Sequence, residues 1–330
     1  MNQPRSILLI DASPFGRSIV LLPVVRSLRT AFPNAFIAVA TSTGTCELLS
    51  AAGLVDETID LGVIKSSEGG GAGAFKRLAR LFKQSRRRDY DLALDFSPRF
   101  ETQMLSRLVV RARTVTPSRV PNVIEFLISG AARRAGGRAT DYESVLRQIG
   151  IGPGDPRLRV ALPDEEHAQF ERLLERNGSR GGEPIVVLYS SAAGGAWPVE
   201  SFGETGQRLA NNFGARIIAA DEPSDDSFTE AVGALLPQTA IKLASPRAPE
   251  LAAAVARASL VVTDEPGLAR LASEMGAPII EIAEARHAPE SGQSHRVVSG
   301  SSRARVGADE VFEIACQMIQ DSRSASLFRS

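Results

Sequence analysis

Cysteine is nearly absent from this sequence. Cys46 and Cys316 stand 270 positions apart, a separation that suits neither a metal knuckle nor a redox pair. They read as buried thiols of a reducing compartment. No apolar run reaches the roughly 18 residues of a spanning helix. The opening also lacks the charged, apolar and small-residue regions of a secretory signal, so a cytoplasmic location is expected. A Walker A loop, a GxSxG elbow and a zinc cluster are all missing, and the first strand–helix turn carries Gly16 alone rather than GxGxxG. No metal and no cofactor is therefore expected. The three histidines do not change this. His167 lies in a charged, helix-like segment, and His287 and His295 lie in a late loop, without ligand-like or triad-like company.

Lysine is scarce as well, with four residues against 34 arginines. Arginine suits bidentate capture of phosphate or carboxylate, although an arginine-rich composition also follows from a GC-rich genome. What is present describes a soluble globular chain, 43% hydrophobic and 23% charged. Its 330 residues exceed one ordinary core and suit two domains, divided at 1–160 and 161–330. The zero net charge hides a split. Residues 1–160 hold 23 basic and 14 acidic side chains, whereas residues 161–330 hold 15 and 24. A basic half implies an anionic partner, and overall neutrality argues against general nucleic-acid binding.

Strands and helices alternate along the chain. Apolar β-rich runs are expected at 6–11, 36–40, 57–61 and 90–96, with helices at 19–31 and 46–52. A glycine-rich insertion covers 65–74. The following stretch, 75–88, reads as a basic amphipathic helix, suited either to packing on the sheet or to an anionic membrane surface. NGSRGGEP, after the helix-like charged segment, reads as a linker to a second start. There, strands at 185–189, 216–220, 240–243, 260–263 and 278–282 alternate with helices at 199–213, 228–236, 249–258 and 267–275, and a last helix covers 309–321 near the domain junction. Such alternation means parallel βαβ units and two Rossmann-like halves. Ligands of such sheets sit at the carboxyl ends of the strands, which selects the loops 12–17, 190–198 and 263–267.

These loops resemble glycosyltransferase family 9, the ADP-heptose:lipopolysaccharide heptosyltransferases. The opening ILLIDASPFGRSIVLLPVVRSLRTAFPNAFIAVAT is similar to that family's first βαβ unit. AWPVESFGETGQRLA resembles its K-x-W-P-x-x-x-F helix start, and LVVTDEPGLARLASEMGAPIIEI its V-V-x-x-D-[ST]-G-x-x-H-L-A-x-x-x-G-x-P signature. The resemblance implies a GT-B-type α/β fold, two Rossmann-like domains with parallel sheets facing a central cleft. It implies an acceptor-binding first half and a nucleotide-sugar-binding second half. Inverting transfer from an ADP-heptose-like donor to an anionic envelope glycan or glycolipid would follow, with peripheral contact at the inner face of the inner membrane. Gly16, Arg17, Arg113 and Arg119 fall on the acceptor side. Ser190, Ser191, Gly194, Gly195, Trp197, Asp264, Glu265, Gly267 and Arg270 fall on the donor side.

Several polar positions depart from that family's pattern. Arg17 stands where the family carries its base Asp, and Gly195 where it carries a Lys. Glu265, Pro266 and Arg270 replace its Asp, Ser/Thr and His. A guanidinium stays protonated and cannot serve as a base. Asp11, Glu265 and Asp264 are the carboxylates left near the expected site. A non-catalytic binding or scaffold protein is the alternative reading.

Overall fold

The computed structural model describes residues 4–63, 88–97, 113–115, 142–151, 161–179, 181–190, 197–223, 226–285, 292 and 294–327. Of 113–115, 142–144 and 322–327 it describes the backbone only. The chain divides into two compact units, Met1–Leu158 and Arg159–Ser330.

In the first unit, five strands form a parallel sheet: β1 (Ser6–Ile10), β2 (Phe36–Thr41), β3 (Glu57–Asp60), β4 (Leu92–Asp95) and β5 (Arg113–Val115), in the order β3-β2-β1-β4-β5. β1 is buried at every position. An unbroken apolar run, rather than an alternating one, is what a strand covered on both faces requires. The expected helix over 19–31 is α2 (Leu21–Ala31), and a short helix that was not expected, α1 (Phe15–Ser18), precedes it. Pro23 lacks the amide hydrogen that would return to the Ile19 carbonyl, so the first helix cannot run into the second. Helix α3 (Thr43–Ala51) starts three residues before the expected position, and α4 (Tyr142–Gln148) and β5 had no counterpart in the sequence reading. The glycine-rich insertion and nearly all of the basic stretch after it lie outside the described residues.

The second unit holds six parallel strands: β6 (Ile185–Tyr189), β7 (Arg216–Ala220), β8 (Ile241–Leu243), β9 (Leu260–Thr263), β10 (Ile279–Glu284) and β11 (His295–Gly300). Their order is β11-β10-β9-β6-β7-β8. Its helices are α5 (Asp164–Arg176), α6 (Val199–Phe213), α7 (Ser227–Gly233), α8 (Ala248–Arg257), α9 (Pro266–Met275) and α10 (Ala308–Leu327). Alternate strand residues, Val186 and Leu188, Ile217 and Ala219, Leu260 and Val262, and Ile280 and Ile282, pack with Phe202, Phe228, Val232 and Ile319 from α6, α7 and α10. The residues between them face the other side of the sheet, as the two-residue period of a strand demands.

Two expectations are corrected in this unit. NGSRGGEP is no link between the halves: α5 precedes it and already belongs to the second unit, bound to α8 and its flank by Arg247–Glu166 and Arg257–Glu171 ion pairs. Gly178, Gly181 and Gly182 take positive φ there, which returns the chain tightly from α5 into β6. His295 is not in a loop but opens β11, where its Nε2 meets Glu281 Oε2 at 2.9 Å. β11 is an edge strand with Val298 as its one buried residue, so its apolar signal is weak.

Both sheets share one topology. Taken in chain order within its unit, each places its first strand between the second and the fourth. β1 lies between β2 and β4, and β6 between β7 and β9. The connections leaving β1 and β4, and those leaving β6 and β9, turn in opposite directions, so each unit has a crevice at that switch point.

Phe202 should anchor the second core. It is fully buried and meets the rings of Trp197 at 4.7 Å and Phe228 at 5.0 Å, both edge-on. Phe202→Ala should cost about 3–5 kcal/mol of stability. Glu204→Ala, on the exposed face of the same helix, should cost less than about 1 kcal/mol. Urea unfolding followed by the fluorescence of the single tryptophan measures both, and equal effects would refute the assignment.

Candidate functional site

In the second unit the switch point is built by the ends of β6 and β9. Asp264 follows β9 and is 3% exposed. Its Oδ2 accepts the Trp197 backbone amide at 2.7 Å, and its carboxylate also takes a hydrogen bond from the Ser190 side chain. Both ends of the connection from β6 to α6 are thereby tied to the end of β9. Burial raises the Asp264 pKa above the ordinary carboxylate value, against the lowering effect of these hydrogen bonds and of the Arg303 charge. The Trp197 indole nitrogen donates to the Val306 carbonyl at 2.8 Å. A third connection, from β11 to α10, thus joins the same cluster through its 3-10 turn Arg303–Arg305.

Helix α9 begins beside this cluster. Glu265 is its N-cap residue and is half-buried, with its amide donating to Thr263 Oγ1 at 3.0 Å. Pro266 occupies the first helical position, where its missing amide hydrogen is no loss. Gly267 lies in the first turn, half-buried. Arg270 is exposed, and its Nε pairs with Glu274 Oε1 at 3.2 Å on the same helix. Ser191, Gly194 and Gly195 lie outside the described residues.

Negative charge surrounds the crevice. Tyr189 is buried, and its phenol pKa is pushed well above its usual value by that burial and by Glu222, Glu265, Asp221 and Asp264. Asp221 is committed elsewhere, because its carboxylate accepts the amides of Phe228 and Thr229 at 2.8 and 3.0 Å and so holds the start of α7. Among the described residues no group of three His, Cys, Asp or Glu is placed to hold a metal.

The first unit is organised in the same way. Asp11 directly follows β1 and Asp95 ends β4, both fully buried. Ser97 accepts the Ala12 amide at 3.3 Å and donates its own amide to Asp95 Oδ1 at 2.9 Å, tying the two strand ends together. Ser18 of α1 shares hydrogen bonds with Ser42 and Thr45 beyond β2. On that frame Gly16 is buried and Arg17 exposed. Arg113 lies in β5, of which only the backbone is described, and Arg119 lies outside the described residues. Cys46 is buried and its thiol pKa is raised to about 12, chiefly by desolvation, which makes it inert. Cys316, expected to be buried, is only partly so.

Arg303, whose charge acts on Asp264, carries no signal in the sequence. It follows the SGSS run at the end of an edge strand of weak pattern, and only the bond from Trp197 to Val306 discloses its neighbourhood.

No family model matches the chain, and no curated protein does. Solved structures do. A family 9 glycosyltransferase from Veillonella parvula superposes with a TM-score of 0.71 at 16% identity, over 97% of this chain and 99% of that one. The E. coli ADP-heptose LPS heptosyltransferase II gives 0.68 at 16% identity, over 96% and 99%. The E. coli heptosyltransferase WaaC, with ADP-2-deoxy-2-fluoro heptose, gives 0.66 at 18%, over 94% and 99%. The chain therefore has the α/β, GT-B-type fold of these glycosyltransferases, with two parallel sheets.

The Asp264 knot gives a pH signature. Its folded pKa lies above the unfolded value, so wild type loses stability as pH rises from the unfolded pKa through the folded one, and the loss is complete above both. Asp264→Asn keeps an oxygen for the Trp197 amide but cannot ionise. Its stability relative to wild type should rise with pH from about pH 4 upward, measured by urea unfolding at a series of pH values. A relative stability that falls over that interval would refute the assignment.

Proposed function

We propose that the protein is a glycosyltransferase of the heptosyltransferase type, binding a nucleotide-sugar donor at the β6/β9 switch point and an anionic envelope glycan on its first unit. One observation carries this reading. The Asp264–Ser190–Trp197 knot ties together the ends of β6 and β9 at the place where a doubly wound sheet receives nucleotides. The fold likeness to heptosyltransferases over almost the whole chain, together with the motifs around Trp197 and Gly267, supports the same assignment.

Inverting transfer makes clear demands. A base removes the proton of the acceptor hydroxyl, whose oxygen bonds to the anomeric carbon as the bond to the diphosphate breaks. The electron pair leaves on the diphosphate, which needs positive charge or amide donors. Arg17 cannot take the proton. Asp11 is fully buried, and Asp264 is bound to the Trp197 amide. Glu265, half-buried at the start of α9, is the remaining carboxylate of the three and is assigned the base. Arg17 is assigned to the acceptor's anionic groups, and the amides of the first turn of α9 to the departing phosphate.

One residue favours a second reading. With Arg17 at the family's base position, the chain would be a binding protein that holds a donor without transferring its sugar.

Nucleotide release separates these readings. The purified protein should liberate nucleoside diphosphate from a nucleotide-sugar above the buffer rate, and faster with an acidic glycan acceptor. Glu265→Gln should lower this rate roughly 100- to 10,000-fold. Arg17→Asp should raise the acceptor KM and leave donor binding unchanged. No release by wild type with ADP- and UDP-sugars would leave the binding reading in place, and full activity of Glu265→Gln would remove Glu265 as the base.

A further inference from the structure

We infer that Arg303 is the cation that binds the diphosphate of the donor in the second unit. This rests on the donor reading above and adds to it the source of the positive charge, which the loops at the switch point do not contain. Residues 190–198, SSAAGGAWP, carry no charged side chain, and residues 263–267, TDEPG, carry carboxylates alone. The end of β7 adds Asp221 and Glu222. A diphosphate at this crevice would meet one carboxylate after another unless a cation came from a more distant connection.

Few cations are available to do so. Arg247, the N-cap residue of α8, is held by Glu166 and Gln169 at 2.9 and 3.2 Å. Arg270 is exposed and paired with Glu274. Arg303 is partly buried. Its Nε is closed off from solvent without a hydrogen-bond partner, and among the described residues its side chain makes no ion pair. A guanidinium offers five donors, and with Nε closed off the four on its two terminal nitrogens are those a ligand would take.

The backbone explains how a residue after β11 comes to this crevice. β11 lies two strands from β9, roughly 10 Å at the usual strand spacing. The chain turns back at once after the strand. A Cβ on Gly300 would stand 2.9 Å from the Ser302 carbonyl oxygen, so the turn needs glycine there. It is then held down by the indole of Trp197 on Val306, three residues beyond Arg303. Trp197 is in turn held by Asp264, the carboxylate on which the Arg303 charge acts. An arginine at this place can take two phosphate oxygens in its planar fork, while the amides at the start of α9 take others. It replaces in function the lysine that the resembling family carries at the position of Gly195.

The test uses the single tryptophan as its reporter, with calorimetry beside it. Inorganic pyrophosphate, ADP and UDP are titrated into the full chain and into Arg303→Gln, Arg303→Lys and Arg305→Gln. Wild type should bind and change its Trp197 fluorescence. Arg303→Gln should weaken binding at least about tenfold, the loss of one charge-assisted contact. Arg303→Lys keeps the charge without the fork and should fall between the two, which also serves if the glutamine variant does not fold. Arg305→Gln, an exposed neighbour, should change affinity by less than roughly twofold. Unchanged affinity in both Arg303 variants overturns the assignment and leaves the donor site standing. Equal losses in Arg303→Gln and Arg305→Gln, or binding without a tryptophan response, overturn it as well. Absence of binding of all three ligands by wild type overturns the donor reading, and Arg303 with it.

Discussion

The hydrogen bond from the Trp197 amide to the Asp264 carboxylate is the contact on which the second unit's crevice depends. It closes the gap between two connections that diverge from neighbouring strands, where the backbone ladder has ended and offers nothing further. Desolvating the carboxylate is unfavourable, as its raised pKa records, and the bonds from Trp197 and Ser190 offset part of that penalty. The indole of the same residue then fastens the connection beyond β11 and stacks edge-on against Phe202 in the core. One side chain thus couples hydrophobic packing beneath the sheet to loop geometry above it.

The first unit reaches a comparable end with different chemistry. Its strand ends are joined by hydroxyls and buried carboxylates, through Ser97 with Asp95 and through Ser18 with Ser42 and Thr45. No aromatic ring takes part in these bonds. The short helix carrying the exposed Arg17 is joined to this network through Ser18. The two units share strand order but not the means by which their strand ends are joined.

Much of this was legible in the sequence, for physical reasons that differ between elements. β1, β6 and β9 are buried on both faces, so each is a continuous apolar run that no helix-length pattern mimics. α6 and α9 end at Gly214 and Gly276, both with positive φ, and such stops are visible in one dimension. The edge strand β11, half exposed, left no comparable trace, and the break between α1 and α2 depended on reading Pro23 as a missing donor rather than as a tolerated residue. For the candidate site, the motifs gave Trp197 and Asp264 their place but not their bond. Arg303 was hidden because its proximity to Asp264 is created by a long-range contact between residues 197 and 306, which no local pattern encodes.

The knot between Asp264 and Trp197 has a bearing on descent. It is made to a backbone amide, so the carboxylate constrains the path of the chain at position 197 without dictating which side chains precede it. Residues 191–196 are all serine, alanine or glycine, and a lineage could exchange a charged residue there for a neutral one while the crevice stayed in register. Charge lost on one connection can then be regained on another that the same tryptophan holds. Ligand preference in such a lineage could drift by single substitutions, each made against a backbone that had no need to change.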